Sequence, residues 1–255
     1  MNIAFWSFKG GSGRSICLAN LAVKLGMTKR VGLIDFDLEA PGLHTIFGIS
    51  DEDVSKKGCL TDCFRSNSAT NLENYIWKVK DGQKWPDEKE RNIFLLPNIN
   101  DPTALDKTDF QSDEIVLLIE EIFNKMKSIY TLDYILIDAR SGFSAHSGIA
   151  FQFMSEAFLF FRPNIQHRDG LHRALKIICD IQGLDYKIIA TQVPDIPEAT
   201  KFLNDTETIL GKKINYLLPL DPEFSIGEKL LFGDTCKKIS EILDEMAKNI
   251  LGDVT

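Results

Sequence analysis

The sequence predicts an α/β protein with a doubly wound, mostly parallel β-sheet and helices on both faces of that sheet. A largely apolar run over 2–8 is followed by a helical pattern over 15–25 and a second β-like run over 30–36. Residues 134–138 are apolar until the last one, as in a strand that is buried on both faces. Residues 113–130 place apolar side chains on one helix face at close to 3.6-residue spacing.

The rest of the chain continues the same alternation of strands and helices. Further strands are predicted over 92–96, 157–161 and 187–190. The stretch over 51–90 is polar and mixed in charge, and it is predicted to be an irregular insertion. The chain has 255 residues, of which 44% are hydrophobic, and this is enough for one globular core. We therefore expect a single domain over 1–255.

A glycine-rich turn joins the first strand to the first helix. It reads Phe8-Lys9-Gly10-Gly11-Ser12-Gly13-Arg14-Ser15. Glycines let the backbone curl so that successive N–H groups face one anion, and the following helix adds the positive end of its dipole. A merely flexible connection is the alternative, but it would not require two cations and a hydroxyl beside the glycines. The pattern predicts a loop that binds nucleotide phosphates.

Three aspartates stand at or just after the carboxyl ends of predicted strands. Asp35 and Asp37 close the second strand, and Asp138 closes the strand over 134–138. Open parallel sheets bind their ligands at this edge, and a carboxylate in such a position can contact magnesium directly or through water. The alternative for the first pair is that it only ends a strand and caps the next turn.

The glycine-rich loop resembles the deviant Walker A motif of the ParA/MinD family of P-loop ATPases, Lys-Gly-Gly-x-Gly-Lys-Ser/Thr, with Arg14 in place of the second lysine. The resemblance implies bound ATP and Mg²⁺ and a homodimer that forms on ATP binding, in which Lys9 reaches the partner's nucleotide. It also implies that 33–43 is switch I, where Asp37 orients the attacking water, and that 139–144 is switch II with Gly142 as its pivot. Arg14 carries a planar fork instead of a compact ammonium, so we expect slow hydrolysis.

These motifs define the predicted site. The predicted catalytic residues are Lys9, Arg14 and Asp37. The predicted nucleotide-binding residues are Gly10, Gly11, Ser12, Gly13, Arg14, Ser15, Ile16, Gln192 and Pro194, and the predicted metal ligands are Ser15, Asp35 and Asp138. Relatives read the adenine edge near the ends of late strands, which is why Gln192, Pro194 and Asn164 are candidates. Residues 218–221 resemble the proline-containing turn that closes the nucleotide pocket. A role in turn formation is the alternative for these polar residues.

Three classes of function compete. The leading hypothesis is a switch ATPase that regulates the positioning or assembly of an unidentified partner macromolecule. The second is a bacterial P-loop tyrosine kinase, because residues 35–48 also resemble that group, although those kinases carry a C-terminal tyrosine cluster and this chain has no tyrosine after Tyr216. The third is a non-hydrolysing nucleotide-binding interaction module, in which Arg14 marks decay of the catalytic site.

Charge and hydropathy limit the kinds of partner that we expect the protein to bind. A net charge of −8 argues against a broadly basic surface for DNA. Arg168, Arg173 and Lys176 could contact DNA non-specifically, but a solvated helix face is the favoured interpretation. The final amphipathic pattern, over 237–251, has a polar face of mixed sign, so we expect a helix docked on the sheet instead of on lipid.

The sequence also indicates in which cellular compartment the protein is expected. No apolar run approaches the roughly 20 residues that a membrane span needs, so we expect no stable membrane insertion and a cytoplasmic protein. The five cysteines are scattered, and Cys59 and Cys63 lack the spacing of a zinc site. Reduced structural thiols are therefore expected.

Overall fold

The computed structural model describes residues 1–79, 89–142, 145–178, 184–227, 230–231 and 236–252. Its strands form one eight-stranded sheet in the order β3-β4-β2-β5-β1-β6-β7-β8, and every neighbouring pair is parallel except β3 with β4. The predicted fold class is confirmed. The strands are β1 (Asn2–Ser7), β2 (Arg30–Phe36), β3 (Trp77–Lys78), β4 (Asn92–Leu96), β5 (Tyr134–Ala139), β6 (Glu156–Phe161), β7 (Asp185–Val193) and β8 (Tyr216–Pro219).

Helices cover both faces of the sheet. Those described are α1 (Arg14–Leu25), α2 (Leu43–Ile46), α3 (Asp51–Lys57), α4 (Leu60–Ser66), α5 (Leu72–Tyr75), α6 (Pro102–Lys107), α7 (Asp113–Tyr130), α8 (Ala145–Gln152), α9 (Ile165–Ile178), α10 (Pro197–Leu210), α11 (Pro222–Gly227) and α12 (Lys237–Leu251). Alternate residues of the central strands enter two separate cores, because successive side chains of a strand point to opposite faces. Phe5 and Leu136 pack with α1 and α12, whereas Trp6 and Ile137 pack with α7 and α9.

Two helices confirm what their hydrophobic patterns predict. The apolar face of α7 is buried against the sheet, and it consists of Ile115, Leu118, Ile119, Ile122, Phe123 and Met126. The terminal helix α12 packs on α1 and β8 through Ile239, Leu243 and Met246. The C-terminal amphipathic pattern is therefore that of a helix docked on the domain.

The stretch over 51–90 is more regular than its composition suggests. Helices α3, α4 and α5 and strand β3 lie within 51–78, so the expectation of an irregular segment is wrong for that part, and residues 80–88 lie outside the described residues. The Ser50 hydroxyl caps α3, and Val54, Leu60 and Leu72 are buried. Local capping and a few buried side chains set this structure despite the high charge. Cys17, Cys59, Cys63 and Cys236 are free thiols, and Cys179 lies outside the described residues.

Candidate nucleotide-binding site

The glycine-rich loop lies between β1 and α1 and has the backbone of an anion-binding turn. Gly11 and Gly13 have φ angles of +73° and +74°, a region that residues with a Cβ rarely adopt. Gly13 is the N-cap of α1, whose first N–H groups have no acceptor within the helix. These groups and the helix dipole favour an anion at this end of α1.

Strand β7 supports the loop from one side. The Thr191 hydroxyl donates a hydrogen bond to the carbonyl oxygen of Ser12 at 2.6 Å, and the Gln192 side-chain amide donates to that of Gly11 at 3.0 Å. Gln192 itself has a φ of +53°. The structure thus places Gln192 beside the loop, as a support for its backbone.

Three predicted site residues meet in one buried cluster. The Arg14 guanidinium donates from Nη2 to Oδ2 of Asp37 at 3.1 Å and from Nε to Oδ1 of Asp138. Arg14, Asp37 and Asp138 are 7%, 9% and 2% exposed, so water screens these ion pairs weakly. Residues that are 23 and 124 positions from Arg14 in sequence are thereby joined at one edge of the sheet.

Burial and the neighbouring charges have opposite effects on the pKa values of Arg14 and Asp138. Burial alone would lower the pKa of Arg14, but attraction to Asp138 and Asp37 outweighs it and raises the pKa above its usual value. Burial raises the pKa of Asp138, against the stabilising contacts from Arg14 and the Ser15 hydroxyl. Arg14 is therefore a permanent cation in this site.

Asp35 lies beside Asp138 on the neighbouring strand and anchors the loop after β2. Its carboxylate accepts backbone N–H bonds from Asp37 at 3.2 Å, Gly42 at 3.0 Å and Leu43 at 2.9 Å. Burial raises the pKa of Asp35 to about 8, the charge of Asp138 adds to this, and the N–H bonds from Leu43 and Gly42 oppose it. These contacts are those of a loop anchor, and a role for Asp35 near a metal stays a prediction.

The donor set fits magnesium held jointly with phosphates. The Ser15 hydroxyl hydrogen-bonds to Asp138, which places two oxygen donors side by side at the start of α1. Within the described part of the chain, no group of three or more histidine, cysteine or acidic side chains could hold a metal alone. Mg²⁺ usually binds one or two protein oxygens together with phosphates and water, so it needs no such group.

Lys9 and Phe8 occupy the outer side of the loop. The Lys9 ammonium is exposed and donates to the neutral side-chain oxygen of Gln166 on α9 at 2.6 Å. The ring of Phe8 packs against α9, where the Arg173 guanidinium carbon lies 5.2 Å from the ring centroid. A Cβ added to Gly170 would lie only 1.9 Å from Cδ1 of Phe8. Phe8 stands where the standard P-loop pattern has its first glycine, and its ring fits there because α9 carries Gly170 opposite it.

A cavity of about 140 Å³ adjoins the loop. Its lining comprises Gly11, Ser12, Gly13, Ile16, Cys17, Thr191, Gln192, Leu218, Pro219 and Phe224. The cavity is smaller than the roughly 300–1,000 Å³ of whole ligand pockets, so it could take one part of a nucleotide. Pro194 is absent from this lining, and the side-chain oxygen Oδ1 of Asn164 instead accepts the backbone N–H of His167 at the start of α9. Sequence reasoning missed Cys17, Thr191 and Phe224, because single residues of these types carry no motif.

The segment after β5 contacts the segment after β2. Arg140, which lies in the segment predicted to be switch II, forms an ion pair with Glu39 in the segment after β2. The Gly142 N–H donates to the backbone carbonyl oxygen of Ser7 at 2.9 Å, and the Trp6 indole donates to the Gly142 carbonyl oxygen at 3.0 Å. Phe143 and Ser144, predicted as part of switch II, lie outside the described residues.

The basic residues of α9 make contacts within the protein. Arg168 pairs with Asp169 at 2.9 Å and lies over the Phe202 ring, and Arg173 lies over Phe8. These contacts are consistent with the helix-face interpretation of this segment. None of the helices in the described ranges combines the length and apolar character that a membrane crossing requires.

Comparison with known proteins shows what this chain is similar to. A family model described as a NUBPL iron-transfer P-loop NTPase of the ParA type matches residues 1–69. The uncharacterized ATP-binding protein MJ0547 of Methanocaldococcus jannaschii is 24% identical over 258 residues, which cover 98% of this chain and 87% of that protein. These matches make the chain similar to the ParA/MinD-type P-loop NTPases, the family that its glycine-rich loop resembles.

Two solved structures share the fold of this chain. The septum site-determining protein MinD of Pyrococcus horikoshii, complexed with Mg-ADP, aligns with a TM-score of 0.72 at 22% identity, over 98% of this chain and 95% of that one. A Cyanothece McdA variant complexed with ATP aligns with a TM-score of 0.78 at 14% identity, over 98% and 96% of the two chains. At these identities the likeness establishes the fold alone.

Proposed function

We propose that this protein is an ATP-binding switch that dimerises on ATP and hydrolyses it slowly to regulate a partner macromolecule. The observation that carries the proposal is the meeting of the P-loop residue Arg14 with Asp37 and Asp138, the carboxylates assigned to water and to metal. These contacts bring the P-loop cation and the two carboxylates together at the start of α1, where the phosphates of a nucleotide would bind. The resemblance to MinD with Mg-ADP and to McdA with ATP supports the same ligands here.

Each residue has a role in this proposal. The backbone N–H groups over 10–15 hold the phosphates, with the positive end of α1 behind them. Asp37 orients the attacking water by accepting its hydrogen bond. Ser15 and Asp138 would hold Mg²⁺, which when bound neutralises charge on the phosphate oxygens. Lys9, exposed at the outer side of the loop, contacts the nucleotide of the second subunit.

The cavity beside the loop is assigned to the base and ribose. Ile16 and Gln192 line it together with Leu218 and Phe224, so it offers apolar walls with one amide at the rim. We propose ATP as the nucleotide, because no Asn-Lys-x-Asp motif for guanine is present in the late loops. Pro194 does not line this cavity, and a nucleotide contact from it stays a prediction.

The output passes through the two loops that follow β2 and β5. Asp35 fixes the backbone of the first loop, and the Glu39–Arg140 pair links it to the second. When phosphates change the contacts of Asp37 or Asp138, the surface formed by these two linked loops would therefore change as well. That surface is where we place the partner that this switch positions or assembles.

The test is the mass of the protein in solution, measured by light scattering with no nucleotide, ADP, ATP and a slowly hydrolysed ATP analogue, all with Mg²⁺. We expect the mass to double with the two triphosphates only. Phosphate release measured in parallel should show slow turnover of ATP. Nucleotide binding without a mass change or phosphate release would contradict the switch and favour an interaction module.

A further inference from the structure

Two of the three buried carboxylates near the start of α1 are paired with the same cation, Arg14. Asp35, Asp37 and Asp138 are all buried at this edge of the sheet, and burial leaves a charged carboxylate costly unless it is paired or hydrogen-bonded. Asp35 is satisfied by three backbone N–H groups. Within the described part of the chain, the ion pairs of Asp37 and Asp138 are both made by Arg14.

The guanidinium suits this double contact better than an ammonium would. Its planar fork presents Nε and Nη2 in fixed directions, and here each of these nitrogens serves a different carboxylate. Charge-assisted hydrogen bonds of this kind are stronger than neutral ones, and they are little screened at such burial. Arg14 therefore supplies the positive charge that Asp138 would otherwise seek from a divalent cation.

We propose that Arg14 is a resident counter-ion that closes the divalent-cation site in the absence of nucleotide. A cation that takes Asp138 alone leaves the guanidinium buried with one of its two partners lost. Phosphates change this balance, because they offer Arg14 a new anion and offer the cation further oxygen ligands. Divalent cation and nucleotide should then enter together, and Asp37 should be released only in the loaded state.

This inference rests on the proposed function for its biological meaning, but it can be tested with no nucleotide present. The test is thermal unfolding of the protein with increasing MgCl₂, against NaCl of equal ionic strength. The variants are Arg14→Gln, which removes the cation and keeps a polar side chain, and Arg14→Gln combined with Asp138→Asn. Arg65→Gln is the matched control, because Arg65 also bridges two aspartates, Asp62 and Asp101, but is exposed.

We expect the melting temperature of the wild type and of Arg65→Gln to be unchanged by MgCl₂ alone. Arg14→Gln should melt lower than the wild type without Mg²⁺ and should gain stability as Mg²⁺ is added, with an Mg²⁺ affinity about tenfold or more above that of the wild type. The double variant should lose this gain. Stabilisation of the wild type by MgCl₂ alone, or no response of Arg14→Gln, would overturn the proposal.

A second measurement uses the wild type and remains available if Arg14→Gln does not fold. The buried Nε–H of Arg14 should give an arginine side-chain NMR signal that is protected from exchange, assigned by its loss in Arg14→Lys. MgCl₂ alone should leave this signal in place, and Mg²⁺ with a slowly hydrolysed ATP analogue should shift it. A shift with MgCl₂ alone would refute the resident counter-ion, whereas failure to bind any nucleotide would refute the proposed function and leave the MgCl₂ result valid.

Discussion

The carboxylate of Glu39 and the guanidinium of Arg140 form an ion pair that joins the loop after β2 to the loop after β5. The Asn100 side chain also donates to the Glu39 carbonyl oxygen at 2.7 Å, which holds the backbone of the first loop. The two paired side chains are 48% and 29% exposed, so water screens their attraction. The pair therefore matters more for the coupling of the two loops than for the stability of the fold.

We predict that Glu39→Gln leaves the free energy of unfolding within about 1 kcal/mol of the wild type, because exposed ion pairs contribute little. The same change should reduce the dimer fraction at subsaturating ATP, since the two loops then move independently. Chemical denaturation and light scattering measure the two effects. Glu52→Gln breaks the exposed Glu52–Lys56 pair on α3 and is the control. Equal effects of both changes on dimerisation would contradict a specific coupling.

Lys9 gives a second prediction. Lys9→Ala should abolish or strongly weaken ATP-driven dimerisation while changing the nucleotide affinity of the monomer by less, because its ammonium is exposed beside the loop. Light scattering and equilibrium nucleotide binding separate the two quantities. Gln166→Ala removes the 2.6 Å partner of Lys9 and is the control for loss of that contact alone. Normal dimerisation of Lys9→Ala would remove the assigned role.

Sequence alone predicted those features that arise from local pattern. Three parts of the fold were predicted in this way: the strand over 134–138, the helix over 113–130 and the glycine-rich loop. A strand buried on both faces requires a continuous apolar run, a helix packed on a sheet requires one apolar face, and positive φ angles favour glycine. The positions of Asp35 and Asp138 near the carboxyl ends of β2 and β5 were also predicted, because an apolar run precedes each of them. The segment over 51–78 was not, since capping and a few buried side chains outweigh its polar composition.

Contacts between residues that are distant in sequence could not be predicted from local sequence pattern. Nothing near Arg14 indicates that its guanidinium bridges Asp37 and Asp138, and nothing near Phe8 indicates that Gly170 makes room for its ring. The support of the loop by Thr191 likewise depends on the parallel pairing of β6 with β7. These contacts depend on the order and pairing of the strands, which the whole chain determines and no single segment of the sequence reveals.

The packing of Phe8 on α9 gives a third prediction. Gly170→Ala places a Cβ 1.9 Å from Cδ1 of Phe8, so the ring must move and carry the start of the P-loop with it. We expect a loss of about 1–3 kcal/mol in the free energy of unfolding and weaker nucleotide binding. Chemical denaturation and nucleotide titration measure both.

The control for Gly170→Ala is Gly148→Ala on α8. Gly148 is also helical, but a Cβ there has nothing within 4 Å. Alanine favours a helix over glycine by up to about 1 kcal/mol, so this variant should be unchanged or slightly stabilised. If Gly170→Ala behaved like Gly148→Ala, the steric role of Gly170 would be wrong.

A fourth prediction concerns Glu156, at the amino end of β6 and far from the P-loop. Glu156 is 7% exposed and lines a cavity of about 540 Å³ with Lys187 and Tyr216. Burial raises the pKa of Glu156, and the charge of Lys187 opposes this. A carboxyl whose pKa is higher in the folded state binds its proton more tightly there, so it reduces stability as the pH rises from its unfolded pKa, about 4.3, through the raised value.

Glu156→Gln should therefore be more stable relative to the wild type at pH 8 than at pH 4. Chemical denaturation of both proteins at a series of pH values gives the difference directly. The exposed Glu52→Gln, measured in the same series, controls for the general effect of removing one negative charge. A difference between Glu156→Gln and the wild type that does not grow with pH would show that the glutamate is stabilised in its charged form.

The last prediction concerns the identity of the P-loop cation. Arg14→Lys should preserve nucleotide binding, because an ammonium at this position still faces the phosphates, and it should raise the rate of phosphate release. The reason is that a compact ammonium cannot reproduce the fork that holds Asp37 through Nη2 and Asp138 through Nε, so Asp37 is freer to orient water. Equilibrium nucleotide binding and single-turnover phosphate release separate the two effects. Complete loss of nucleotide binding in Arg14→Lys would instead show that the guanidinium makes phosphate contacts that no ammonium can replace.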